Sequence, residues 1–157
     1  MPRHADNRTP TDTAWADLAD LVLRVAREIQ VRGYEDVEAV SLSPSEGAVM
    51  RYLYDRPVAS PGEIADATGQ QRTNLSTVLA SLEGQGLIAR RGSADDRRRV
   101  EVVRTARGAA NYQLVRREWA AAVKAAAGTG EGQHLAAAVE LLEAIEQGLM
   151  RSRRAKG

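Results

Sequence analysis

Between Leu75 and Arg104 the apolar positions change their period once, and the change divides the stretch into two elements. Leu75, Val78, Leu79 and Leu82 follow the i, i+3, i+4, i+7 spacing of one buried helix face. That face leaves Arg72, Thr73, Asn74, Ser76, Thr77 and Ser81 on the opposite side. Gly86 then suits the left-handed position that closes a helix, with Leu87 folding back as its apolar contact. Beyond it, Leu87 to Arg91 and Arg99 to Arg104 predict two short strands, with Val100 and Val102 on one face and the polar loop Gly92 to Arg98 between them.

Upstream, Ser43-Pro44-Ser45-Glu46 predicts a helix start with an N-cap Ser, Pro at the first helical position and Glu reaching back as a capping box. Ser60-Pro61-Gly62-Glu63 repeats the device, so two short helices are expected, Pro44 to Asp55 and Pro61 to Thr68, joined by a linker containing Pro57. Gly69 breaks the second before the polar-faced helix begins near Arg72. Short helix, Gly-containing turn and polar-faced helix form the helix-turn-helix pattern, and the arginine-dense hairpin after it forms a basic wing. Short polar side chains with one Arg suit the major groove, where donors and acceptors on base edges are matched one by one.

Two helical arms flank this module. From Thr11 to Arg32, Trp15, Leu18, Val22, Val25 and Ile29 alternate spacings of three and four, a seam that fits either a helix buried in its own domain or a dimer helix. After the wing, Thr105 is expected to cap a helix to about Ala127, with Tyr112, Val115, Trp119 and Val123 on one side. Gly128-Thr129-Gly130 breaks it, and a last helix from Glu131 to Arg151 carries Leu135, Ala138, Leu142, Ile145 and Leu149. These arms carry more apolar surface than so small a module covers, which a homodimer explains. The expected organisation is a tail over 1–10, a dimerisation helix over 11–34, the module over 42–105, C-terminal dimerisation helices over 106–151 and a basic tail over 152–157.

Composition narrows the chemistry. With 157 residues, 43% of them hydrophobic but only 4% aromatic and no Phe, the core must be built from Leu, Val, Ile and Ala, so a mainly α fold with a small β-wing is expected. The absence of Cys removes disulfides and thiol chemistry, and His4 and His134 alone assemble neither a His-based triad nor a multi-histidine metal site. No enzyme activity and no cofactor are expected. The polar N-terminus and the lack of a run of about 18 apolar residues point to a cytoplasmic protein without a membrane partner.

The net charge of +1 conceals segregation. Arg90 to Arg107 carries +4, the last seven residues carry another +4, and the remainder carries −7. Arg97, Arg98 and Arg99 fit either a solvated basic loop or a groove-reading tip. The cluster from Arg151 to Lys156 fits either a complement to its own helix dipole or phosphate contact.

In this order and spacing the chain resembles the multiple antibiotic resistance regulator (MarR) family of bacterial winged-helix transcription factors, from about Trp15 to about Leu149. The segments LSPSEGAVMRYLYDR, SPGEIADATGQQRTNLSTVLASLEGQGLIARR and DDRRRVEVVRTARG carry the resemblance most strongly. The wing motif Asp-x-Arg has two registers here, and the family's spacing back from Thr105 favours Asp96 and Arg98. Arg104 stands where the family usually has Leu.

The resemblance implies a winged helix-turn-helix module flanked by N- and C-terminal dimerisation helices. By it, Arg98 enters the minor groove while Asp96 orients it. The implied function is a homodimeric regulator, a repressor, on a pseudo-palindromic double-stranded DNA site. It also implies a pocket for a small aromatic or phenolic ligand between the dimerisation helices and the module, for which Trp15, Arg24, Met50, Tyr54 and Tyr112 are candidates by their chemistry. The rival reading is a winged helix that binds protein rather than specific DNA.

Overall fold

Capping accounts for most helix starts in the computed structural model, which describes residues 10–36, 38–92 and 100–155. Thr11 caps α1 (Asp12–Val31) by accepting from the Ala14 amide at 3.2 Å. Ser43 and Ser60 each complete a capping box, at the starts of α2 (Pro44–Asp55) and α3 (Pro61–Thr68). Thr105 caps α5 (Ala106–Ala127) through the Gly108 amide at 2.9 Å. Each such cap contributes about 1 kcal/mol by satisfying helix amides that have no partner within the helix.

The polar-faced helix is α4 (Arg72–Gly84), and it ends as the Gly86 pattern predicts. Gly86 takes φ 71° and donates to Glu83 O at 2.9 Å, while Leu87 donates to Leu82 O at 3.0 Å, which together form a Schellman closure with Leu87 wholly buried. Strands β2 (Ile88–Gly92) and β3 (Val100–Arg104) then pair antiparallel, with Arg91 opposite Glu101. A strand the sequence reading did not include, β1 (Val58–Ala59), adds to the other side of β3 and gives the order β1-β3-β2.

A short 3-10 turn (Glu131–His134) leads into α6 (Leu135–Arg154). The helix therefore runs three residues beyond the expected end at Arg151 and absorbs Arg153 and Arg154. No Pro or Gly intervenes to stop it, and the cations of its last turn complement its dipole.

The chain divides into two units, one up to Gly33 and one from Tyr34. In the first, α1 has no buried residue, and Trp15, Leu21, Val22 and Val25 remain 40–48% exposed. In the second, the core gathers Val49, Met50 and Leu53 of α2, Ile64 of α3, Leu75, Leu79 and Leu82 of α4, Leu87, Ile88, Val102 and Tyr112. Burying one such aliphatic side chain contributes roughly 1.5–3 kcal/mol. Asn111 of α5 is the main polar intrusion; it ties the loop before α2 by accepting from the Val40 amide at 2.7 Å and donating to Val40 O at 3.1 Å.

The base of the wing, the end of α4 and the start of α5 meet at Thr105 and Gly108. Besides its cap, the Thr105 hydroxyl donates to Gly86 O at 2.7 Å. A Cβ at Gly108 would overlap the Leu87 carbonyl oxygen and stand 3.1 Å from Met50 Cε. Since the obstacle is backbone, Gly108→Ala is expected to destabilise the protein by about 1–3 kcal/mol despite the better helix propensity of Ala. Urea unfolding checks this, and an unchanged or higher midpoint would refute it.

Candidate nucleic-acid interface

The exposed side of α4 carries Arg72, Thr73, Asn74, Ser76 and Thr77, all open to solvent, while Leu75, Leu79 and Leu82 are at most 2% exposed on the other side. One helix is thus held by its apolar face and free on its polar face. Gln71 at its N-cap contributes no side-chain hydrogen bond to the first turn. Ser76 turns its hydroxyl back to Thr73 O at 3.0 Å, which leaves its oxygen lone pairs outward.

Ser81, expected in the DNA-facing set, is exposed on the same helix and is also bonded inward. Its hydroxyl donates to Glu46 Oε1 at 2.7 Å and accepts from Gln85 Nε2 at 3.1 Å. Periodicity placed Ser81 on the polar side but did not show that the N-terminal turn of α2 lies beside it. Glu46 is the residue the sequence reading missed here: beyond its capping box it accepts from both Ser81 and Gln85, the latter at 3.2 Å, and is only 8% exposed. A single carboxylate therefore joins the start of α2 to the second half of α4.

Wing arginines divide by role. Arg91 Nε pairs with Glu101 Oε2 at 3.0 Å across the hairpin, and Arg90 Nε pairs with Glu83 Oε2 at 3.3 Å, joining β2 to α4. Exposed pairs of this kind contribute at most about 1 kcal/mol, so their main effect is to aim the hairpin. Arg104, where the family usually has Leu, donates from Nη1 to Tyr54 O at 2.8 Å in the last turn of α2 and lies over the Tyr54 ring at 5.4 Å. Three of the seven arginines from Arg90 to Arg107, namely Arg90, Arg91 and Arg104, therefore have partners within the protein. Asp96, Arg97, Arg98 and Arg99 lie outside the described residues.

The effector candidates separate as well. Met50 is wholly buried among core side chains. Tyr112 is also buried, with its ring 5.3 Å from that of Tyr54 and 6.3 Å from that of Trp119. Trp15 and Arg24 belong to α1, where Arg24 pairs with Asp20 at 3.0 Å. Tyr54 borders a cleft of about 350 Å³, completed by Gln113, Arg116, Arg117 and Ala120. Arg116 lies over the Tyr54 ring at 5.6 Å.

Three helices presenting one polar face beside an antiparallel hairpin define a winged helix-turn-helix protein. Residues 40–99 match the MarR family model. The fold is shared with the transcriptional regulator SlyA at TM-score 0.70 and 18% identity, over 87% of this chain and 96% of that one. It is shared with Bordetella bronchiseptica BpsR at TM-score 0.63 and 20% identity (83% and 98% covered), and with NadR bound to 4-hydroxyphenylacetate at TM-score 0.64 and 19% identity (96% and 98% covered). No curated protein sequence matches the chain. Among the described residues, no helix is long and apolar enough to cross a membrane.

The Glu46 junction has a pH signature. Burial alone raises the Glu46 carboxyl pKa, but hydrogen bonds from the Ser43 backbone and from the Ser81, Ser43 and Gln85 side chains outweigh it and hold the group below its ordinary value of 4.5. A carboxyl that titrates lower when folded contributes stability that is complete above the unfolded value and is lost as pH falls through the folded one. Wild type is expected to exceed Glu46→Gln by a constant urea-midpoint margin near neutral pH, and that margin should narrow below pH 4.5. An equal margin from neutrality down to strong acid would remove Glu46 from this role.

Proposed function

We propose that this chain is a homodimeric repressor that binds a pseudo-palindromic duplex site through α4 and its wing, and that an aromatic anion releases it. The observation that carries the reading is the one-sided seating of α4, with Arg72, Thr73, Asn74, Ser76 and Thr77 exposed over a leucine-anchored inner face. Arg72 grips guanine or a phosphate, and the short polar side chains match base edges or phosphates. In the wing, Arg97, Arg98 and Arg99 approach the minor groove, with Asp96 orienting Arg98.

Dimerisation is supported by the apolar surface left on each arm. Leu135, Val139, Leu142 and Leu149 of α6 remain 43–68% exposed at helical spacing, and α1 has its own exposed seam. A second copy of the chain covers both and gives the two-fold symmetry that a pseudo-palindrome mirrors.

The cleft beside Tyr54 supports an aromatic acid as the effector. Arg116 and Arg117 line it, and the Tyr54 ring and Gln113 border the same space. BpsR has its DNA binding regulated by 6-hydroxynicotinic acid, and NadR binds 4-hydroxyphenylacetate. A ligand that prefers one spacing of the two recognition helices shifts DNA affinity by its differential affinity for the two states.

Duplexes selected by the protein from a random-sequence pool are expected to show two half-sites about 10 bp apart, centre to centre, and affinity that falls steeply with salt. Arg72→Ala should weaken binding to the selected duplex by about 1–3 kcal/mol if it contacts a base edge. Equal losses on selected and random DNA would assign Arg72 to the backbone. Failure to select any duplex at low salt would favour a protein-binding winged helix instead.

Calorimetric titration with 4-hydroxyphenylacetate is expected to show binding that Arg116→Ala weakens at least several-fold, as loss of a charged partner does. Undiminished binding by the variant would place the effector elsewhere.

A further inference from the structure

The C-terminal end of α3 is closed by a residue from the last helix of the chain. Its last carbonyls need partners from outside the helix. Gly69 N–H takes Ala65 O at 2.8 Å, and the Thr68 hydroxyl takes Ile64 O at 2.7 Å. Arg153, in the last turn of α6, takes the next two: its Nη2 donates to Asp66 O at 2.9 Å and to Ala67 O at 3.0 Å. A guanidinium there also meets the negative end of the α3 dipole.

The same guanidinium lies flat against Gly69. A Cβ at that position would stand 2.8 Å from Arg153 Cζ and closer still to one of its nitrogens. Gly69 is required for its φ of 70°, and the Arg153 guanidinium, the far end of a flexible side chain, occupies the space left by the missing Cβ. On its other flank the turn is held by Gln70, whose Nε2 donates to Ser45 O at 3.0 Å. Residues 69–71 set the direction in which α4 leaves α3.

We infer that Arg153 is a positioning residue for DNA reading: from α6 it caps α3 and braces the Gly69–Gln71 turn that aims α4. The inference rests on the proposed DNA-binding role of α4. It assigns Arg153 neither to phosphate contact nor solely to its own helix dipole, and it couples the end of α6 by direct hydrogen bonds to the helix that precedes the recognition helix.

Full-length wild type, Arg153→Ala and Arg153→Lys are compared on a duplex that the wild type selects from a random pool, with amide hydrogen exchange followed in the DNA-free proteins. Arg153→Ala is expected to bind about twofold to fivefold more weakly with an unchanged salt slope, the loss that follows when one exposed dipole interaction is removed. Exchange at residues 69–71 should quicken while the core of α2 stays protected, and Arg153→Lys should recover part of both effects by restoring a donor and the charge.

Unchanged affinity in Arg153→Ala overturns the inference, whatever the exchange shows. So does a weaker affinity accompanied by a salt slope shallower by about one, the sign of a lost phosphate contact. A wild type that selects no duplex sinks the DNA-binding reading itself, whereas unaltered exchange at 69–71 sinks only the brace.

Discussion

A helix that reads DNA has to be held by one side only, and everything else in this module follows from that constraint. The inner face of α4 supplies Leu75, Leu79 and Leu82 to a core shared with α2, α3 and the wing, and little of these leucines reaches solvent. Apolar contacts alone are non-directional, so they fix the depth of a helix better than its rotation. Rotation is set by polar contacts of defined geometry: Glu46 on Ser81 and Gln85, Arg90 on Glu83, and the Schellman closure at Gly86. All three act on the second half of α4. The first half, from Arg72 to Thr77, is left open.

Arginine in this chain works inward as well as outward. Arg104 closes the end of α2 at Tyr54 O, and Arg153 closes the end of α3 at Asp66 O and Ala67 O. The guanidinium suits this work because it stays charged, offers several donors in one plane and lies against rings or a bare Gly without needing a full hydration shell. Arg104 lies over Tyr54, and Arg153 lies over Gly69. A charge count along the chain therefore overstates what is available to a nucleic acid. At the base of the wing the Arg104 guanidinium finds both a carbonyl and a ring at Tyr54.

The arms differ in kind from the module. The module encloses its own core, whereas neither α1 nor α6 has a buried residue and both retain exposed apolar seams. Helices of about twenty residues in such a state gain little from propensity and depend on packing against something else. Tyr54, between Arg104 and Arg116 and against Tyr112, lies where α2 meets α5 and the wing.

Local patterns were enough to determine the starts of α2 to α5, the break at Gly69, the Gly86 closure and the hairpin, because each depends on residues within a few positions of one another. Ser43 with Glu46, Ser60 with Glu63 and Gly86 with Leu87 are such sets. The last helix, by contrast, begins at Leu135 rather than Glu131. The two-residue strand β1 was not legible, since its partner Val103 is supplied from far along the chain and its own length carries no period. Periodicity assigned Ser81 to a side of α4 but not to Glu46. Only the tertiary structure decided where Arg104 and Arg153 go. A guanidinium seeking a backbone carbonyl has no complementary residue type to find, so nothing in the order of side chains marks its target until the fold brings the helix end to it.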